Sequence, residues 1–298
     1  MTPLDELSGL GHIIVTPFAA DETIDLASLR TAVDFAIESG ARAIVALGIM
    51  GEGSKLTDAE RDVVVAAVAE HSAGRVPVLA GCTAESSSAT VQRIAAAAAQ
   101  GADGAMVAPP RAAGTPELQL EHYARVAEES DLPILMQDEP VSTGVTISAA
   151  TIAAVLDHER VFAVKEEHAP TPTKISQVIA ERPGARVFGG HGGQFLLEEL
   201  DRGAVGTMTG FAVPSVLARV CALFAAGDRA TARREFFRAL PLIRYEAQLG
   251  PGGVAIRKQL LAEQGVIASA TVRAPVARVD SRALDELRVL MSETGGSR

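Results

Sequence analysis

Val161-Phe-Ala-Val-Lys165-Glu-Glu-His168 opens as a short buried strand and ends in charge. Four apolar residues, two of them valines, have the length and β-branching of a core strand. A lysine then stands where the strand should end, and lysine is almost never buried without a partner. One reading makes Lys165 a desolvated amine with a lowered pKa, able to form a Schiff base with a carbonyl substrate. The other has it emerging into solvent and pairing with Glu166 or Glu167, the commoner arrangement for such a stretch taken alone. The surrounding chain decides between them.

Working outward, the same unit recurs. Apolar runs at 12–15, 43–47, 76–80, 104–108, 132–136, 161–164, 187–188 and 205–209 are each followed by a segment of helical spacing. Leu26, Leu29, Val33 and Ile37 share one helical face ahead of Gly40; Thr57 and Glu60 form a capping box; Pro116 and Pro214 open further helices. Eight strand–helix units of about 25–30 residues predict an α/β fold, the (β/α)8 TIM barrel, over 1–228. A doubly wound sheet is the rival, but an unbroken series of units favours closure. Segments 229–248, 254–264 and 281–291 have helical spacing only, which predicts a C-terminal helical extension over 229–298 packed on the barrel. In such barrels the chemistry sits at the carboxyl ends of the strands. Lys165 occupies one, as do Glu52, Gln137, Asp138, Glu139 and His191, so the carbonyl-capturing reading overtakes the surface ion pair.

Composition narrows the function classes. The 298 residues are 48% hydrophobic and 21% charged with a net charge of −10, and no cluster of Lys and Arg exists to meet nucleic-acid phosphates. No apolar run reaches membrane-spanning length, and the N-terminus has no basic segment followed by an apolar one, so a cytoplasmic location is expected. Cys82 and Cys221 lack CxxC spacing and read as buried reduced thiols, not as a disulfide or zinc site. Gly48-Ile-Met-Gly51-Glu52 is a turn that can offer backbone N–H groups to a small carboxylate, or can be a tight barrel turn only. It has neither the lysine of a P-loop nor the spacing of a dinucleotide fingerprint.

Several short motifs carry a family resemblance: Val15-Thr-Pro-Phe18, Gly48-Ile-Met-Gly-Glu52, Val107-Ala-Pro109, Pro133-Ile-Leu-Met-Gln-Asp-Glu-Pro140 with Thr143-Gly144, Val164-Lys165-Glu166 and Gly203-Ala-Val-Gly206. In order and spacing the chain resembles the dihydrodipicolinate synthase and N-acetylneuraminate lyase superfamily of class I, Schiff-base lyases. The resemblance implies a barrel with a C-terminal helical extension, assembly as a homodimer or homotetramer, a small-molecule 2-oxo acid substrate and no cofactor or metal. It makes Lys165 the Schiff-base lysine and the amides around Ile49 and Met50 the carboxylate site. Gly51, Ser142, Gly190, Met208 and Thr209 complete the expected substrate lining.

The departures from the family pattern redirect the function. The glycine loop usually reads GTTGE, and here Ile49 and Met50 replace both threonines. The family's acid/base tyrosine aligns with Gln137, whose amide cannot shuttle protons. Ser142 stands for the arginine of the lysine-biosynthesis enzyme and Arg111 for the tyrosine of its strand-four loop, which argues against that activity. The Gln-Asp-x-Pro loop, with Gly206-Thr-Met-Thr-Gly210 and Leu240-Pro-Leu-Ile243, resembles the 2-keto-3-deoxyarabonate dehydratase branch. There an iminium at C2 acidifies the C3 protons and an enamine expels the C4 hydroxyl, leaving a semialdehyde. Glu139 and His191 are then the candidates to move protons, His191 being equally readable as a histidine bonded inside its glycine-rich turn. Asp138 reads as a solvated loop residue, and His12, His71, His122 and His158 as surface residues without a role. The rivals are retro-aldol cleavage releasing pyruvate, a metal site of Glu139, Glu167, His168 and His191 with no diagnostic spacing, and a non-catalytic 2-oxo acid binder.

Overall fold

In the computed structural model, which describes residues 3–247, 253–275 and 279–294, eight parallel strands close on themselves. They are β1 (Gly9–Ile13), β2 (Ala43–Ala46), β3 (Val78–Gly81), β4 (Gly104–Val107), β5 (Ile134–Asp138), β6 (Val161–Glu166), β7 (Val187–Gly189) and β8 (Gly206–Thr209), with β8 returning to pair with β1. Between and after them run α1 (Leu26–Glu38), α2 (Asp58–Ser72), α3 (Ser87–Ala99), α4 (Pro116–Glu129), α5 (Pro140–Thr143), α6 (Ala149–Leu156), α7 (Thr171–Glu181), α8 (Leu196–Asp201) and α9 (Pro214–Ala225). The chain ends in α10 (Arg229–Ala247), α11 (Gly253–Glu263) and α12 (Ser281–Thr294). The fold is the TIM barrel with C-terminal helices that the sequence predicts. Gln248, the expected last residue of the helix from Arg229, lies outside the described residues.

Helix starts follow local chemistry. Asp25, Ser86, Thr115 and Ser148 each accept a hydrogen bond from a backbone N–H three residues on, meeting a donor that the first helical turn leaves without a partner. Thr57 and Glu60 form both halves of a capping box ahead of α2.

Side-chain alternation along each strand divides the core in two. One set, including Ile13, Ala43, Val45, Leu79, Met106, Leu135, Ala163, Phe188 and Met208, fills the barrel interior, with Leu4 and Leu7 packed into the same cluster. The other set lies between sheet and helices and runs without a break into Phe236, Ile243, Ile256 and Leu260 of α10 and α11. The C-terminal helices therefore share the barrel's apolar layer. Among the described residues no helix is long and apolar enough to cross a membrane. Cys82 and Cys221 are free and buried, and burial pushes each thiol up to about 12.

Two strands differ from expectation in position. β1 starts at Gly9, not near His12, because Gly9 and Gly11 pair with β8 while carrying no apolar side chain to signal a strand. A Cβ at Gly11 would lie 2.9 Å from the Met208 side chain, so the interior needs a glycine there. β5 extends through the polar pair Gln137-Asp138, which therefore sit in the ladder and not in the loop beyond it. The short helix α5 directly after it was not anticipated.

Candidate active site

Strands β5 and β6 build the centre of the barrel mouth. Gln137 pairs with Lys165 across the ladder, and Asp138 with Glu166. Because side chains alternate, the interior row of β5 runs Leu135, Gln137, Glu139 and that of β6 runs Ala163, Lys165, Glu167. Each row begins in the apolar core and turns polar as it reaches the carboxyl end. The Glu167 N–H donates to Asp138 O at 2.8 Å, carrying the backbone pairing one step past β6.

Lys165 is 3% exposed, and its Nζ lies 2.7 Å from Glu167 Oε2. The pairing expected by the surface reading is present, but it is buried. The same Oε2 accepts from Gln137 Nε2 at 2.8 Å, and Glu167 Oε1 accepts from the His191 N–H at 3.1 Å. Burial works to raise the Glu167 pKa. The charge of Lys165 and the hydrogen bonds from Lys165, Gln137 and His191 outweigh it, holding the carboxyl below the ordinary glutamate value. His191 has a left-handed backbone at φ 47°, and its ring Nε2 donates to the Glu167 carbonyl oxygen. It thus grips Glu167 at two points. Gly190 makes room for that carboxylate, since a Cβ there would lie 2.3 Å from Glu167 Cγ.

A cavity of about 170 Å³ opens over this cluster, lined by Ile49, Met50, Glu139, Ser142, Lys165, Glu167, His191, Met208 and Thr209, with Glu246 and Arg257 on its C-terminal side. A second one, of about 660 Å³, continues along Gly48, Ile49, Arg111, Gln137, Glu139 and Ser142. Most of the expected site residues thus converge. Two stand off: Gly51 and Gly190 line neither cavity. The Gly51 N–H is spent on Gly48 O, and its carbonyl accepts from Thr16 Oγ1 at 2.6 Å. Gly51 closes a 3₁₀ turn over Ile49–Gly51 whose first two N–H groups, those of Ile49 and Met50, have no partner inside the turn. Glu139 caps α5 by accepting from the Ser142 N–H at 2.8 Å, while Ser142 Oγ is buried without a partner.

Asp138 corrects the sequence reading. It is fully buried on the outer face of the sheet, with Lys174 Nζ 3.4 Å and His168 Nδ1 3.9 Å from its Oδ2. Burial raises its pKa against the attraction of Lys174 and His168; Glu166 beside it is pushed well up by burial and by Asp138. His12 is likewise buried, not on a surface, and burial lowers it to about 3 with Arg257 adding to the effect. Among the described residues no three His, Cys, Asp or Glu side chains form a group able to hold a metal ion, so Glu139, Glu167, His168 and His191 do not assemble as one.

Sequence reasoning passed over Glu167 as a partner inside the site, although counting by two from Lys165 reaches it. It also missed Glu246 and Arg257, for which no local signal exists.

A closed parallel barrel with a lysine-lined cavity at the strand ends defines a class of enzyme in which the βα loops select a small substrate. The comparisons give the family. The dihydrodipicolinate synthetase family model matches residues 6–294. The L-2-keto-3-deoxyarabonate dehydratase of Azospirillum brasilense is 34% identical over 285 residues, covering 92% of this chain and 91% of its own. 4-Hydroxy-tetrahydrodipicolinate synthase 1 of Streptomyces coelicolor is 32% identical over 286 residues, covering 94% and 92%. The dihydrodipicolinate synthase of Rhodopseudomonas palustris superposes with a TM-score of 0.92 at 32% identity, covering 98% of this chain and 99% of that one. The chain belongs to the dihydrodipicolinate synthetase family and is an enzyme, a class I lyase of the dehydratase or aldolase type.

Proposed function

We propose that the protein dehydrates a 2-keto-3-deoxy sugar acid through a Schiff base on Lys165. The observation that carries this reading is the buried Lys165–Glu167–Gln137 cluster, with an acidic acceptor 2.7 Å from the amine and a glutamine where the family's tyrosine would stand. Glu167 Oε2 takes the proton that Lys165 must lose before it attacks the substrate C2 carbonyl. Glu167 returns that proton to the carbinolamine hydroxyl, which leaves as water, and an iminium forms whose positive charge acidifies the C3 protons. Glu167, facing the same nitrogen, then removes a C3 proton, and the resulting enamine expels the C4 hydroxyl as water once that oxygen is protonated. The C3–C4 double bond left behind is conjugated to the imine. Loss of a C5 proton, protonation at C3 and tautomerisation of the resulting C5 enol give the aldehyde. Hydrolysis of the imine then returns Lys165 and releases a semialdehyde.

The substrate carboxylate is assigned to the N–H groups of Ile49 and Met50, which have no partner inside their turn, in a turn that needs no hydroxyl to bind an anion. Glu139 and Ser142 border the same cavity and are assigned to orient the C4 hydroxyl, which leaves with the proton that Glu167 has taken from C3. His191 holds Glu167 in place. The A. brasilense relative named as a dehydratase of such an acid supports the substrate class. Retro-aldol cleavage is the second reading: Glu167 is a single base that could equally take a proton from the C4 hydroxyl, and the S. coelicolor relative is named a synthase. Assembly as a homodimer or homotetramer remains part of the proposal.

Borohydride reduction in the presence of pyruvate or a 2-keto-3-deoxypentonate, followed by peptide mapping, tests the central step. An adduct on Lys165 is expected, and its absence with every 2-oxo acid sinks the mechanism. Product analysis separates the readings: semialdehyde for dehydration, pyruvate plus an aldehyde for cleavage. An enzyme that traps pyruvate but turns nothing over would be a binder.

A further inference from the structure

Helix α11 lies in the C-terminal layer, yet one of its side chains reaches the cavity that holds Lys165. Arg257 is 3% exposed, and its guanidinium is only partly used. Nε and Nη2 both donate to Glu246 Oε1, the former at 2.7 Å, while Glu246 Oε2 accepts from the Ala212 N–H at 2.9 Å. Nη1 has no acceptor among the described residues. Arginine cannot shed its proton, so a buried guanidinium N–H without an acceptor is costly unless something arrives to accept. Gly210 borders the same cavity, and a Cβ there would lie 2.9 Å from Nη1. Glycine at this position is what lets the guanidinium come so close to the end of β8.

The charges around the cavity indicate what arrives. Lys165 and Arg257 are cationic; Glu139, Glu167 and Glu246 are anionic, leaving a formal excess of one negative charge. The carboxylate at C1 of a 2-oxo acid is already assigned to the Ile49 and Met50 amides. A second carboxylate would meet Glu246, which has neutralised Arg257, whereas a hydroxyl accepts from Nη1 without adding charge.

Resting on the Schiff-base reading above, we propose that Arg257 is the specificity-determining residue for the far end of the substrate. Its Nη1 donates to a tail hydroxyl and so selects monocarboxylic, hydroxylated 2-oxo acids over dicarboxylic or plain alkyl ones.

The test uses the full chain and compares the concentrations giving half-maximal borohydride trapping of pyruvate, a 2-keto-3-deoxypentonate, 2-oxopentanoate and 2-oxoglutarate. The wild type is expected to take the hydroxylated acid at about tenfold lower concentration than 2-oxopentanoate, the scale of one hydrogen bond to a charged donor, and to take 2-oxoglutarate least well. Arg257→Lys keeps a cation for Glu246 but removes the second donor. It should trap pyruvate within about twofold of the wild type while losing most of the tenfold preference. An unchanged preference with pyruvate trapping intact overturns the assignment. If the variant does not fold, the wild-type ratios decide, and equal capture of the hydroxylated acid and 2-oxopentanoate, or of 2-oxoglutarate, overturns it. Failure of the wild type to trap pyruvate on Lys165 is a different result, which removes the Schiff-base reading itself and this assignment with it.

Discussion

Two lysines in this molecule are buried against a glutamate in nearly the same geometry. Lys165 Nζ lies 2.7 Å from Glu167, and Lys258 Nζ lies 2.6 Å from Glu52. Lys258, on α11, also donates to Thr271 O at 2.9 Å and sits 4.1 Å over the centre of the Phe18 ring. Its glutamate is as fully used, since Glu52 Oε2 accepts from Lys55 Nζ and the Arg273 N–H. That network ties the glycine loop after β2 to the C-terminal layer. Burial pulls the Lys258 pKa down to about 8, against the attraction of Glu52. Lys258 nonetheless borders neither cavity described above. Lys165 has the open space instead. Burial and a carboxylate partner make a lysine structural or reactive alike, and unspent room beside the amine decides which.

The largest effect expected from breaking this contrast is at Lys165. Lys165→Met should abolish the borohydride adduct and lower kcat/KM by at least about 10³-fold, as removal of a covalent nucleophile does, while leaving the circular dichroism spectrum intact. Residual adduct at another lysine would contradict the assignment, and an adduct on Lys258 would invert the comparison. Lys258→Met should behave oppositely. It removes the cation from Glu52 Oε1 while Lys55 still pairs with Oε2, so the loss should fall below the about 3–5 kcal/mol of a buried charge left with no partner. Urea denaturation should show that loss, while the folded fraction still forms the adduct on Lys165.

How far this contrast was legible in the sequence depends on which physical rule fixes each residue. Lys165 and Gln137 were readable because strand alternation and the position of strand ends in a closed barrel are local and periodic. The same rule reaches Glu167, but reading the strand as finished at Val164 hid the step of two that points it inward. Asp138 was taken for a solvated loop residue for the same reason, its polarity suggesting an end to β5 where the ladder continues. Lys258 and Arg257 are adjacent on one helix and face two different buried partners. No spacing within 253–263 encodes that, because it depends on where α11 docks: Lys258 against Glu52, 206 positions earlier, and Arg257 against Glu246 of the preceding helix. Gly190, expected among the substrate-lining residues, also clears space for Glu167, a role that only the packed structure reveals.

Glu167 carries the next effect in size. Glu167→Gln preserves size and most hydrogen-bonding capacity but cannot take a proton from Lys165 or from C3. A loss of roughly 10²–10⁴-fold in kcat is expected, the range for a positioned general base, together with some loss of thermal stability because Lys165 loses its buried carboxylate partner. The KM for substrate should move far less than kcat. If kcat holds, proton transfer runs through another group and Glu167 only fixes the lysine.

The smallest effect expected is the titration of Lys258. Since the folded-state value for Lys258 is lowered, between about 8 and the ordinary lysine value of 10.5 the unfolded chain still holds a proton that the folded chain has released. The unfolded state therefore binds more protons in that window, and this group's contribution to stability rises as pH rises through it and is lost as pH falls toward 8. The slope can reach at most about 1.4 kcal/mol per pH unit for one group. Measured by denaturant titration at several pH values from 8 to 10.5, the stability of Lys258→Met should rise less steeply with pH than that of the wild type. Lys165→Met, measured the same way, should keep the contribution that Lys258 makes. Parallel curves for wild type and Lys258→Met would mean that Glu52 and the Phe18 ring hold the ammonium charged in the folded state as well as water does in the unfolded one.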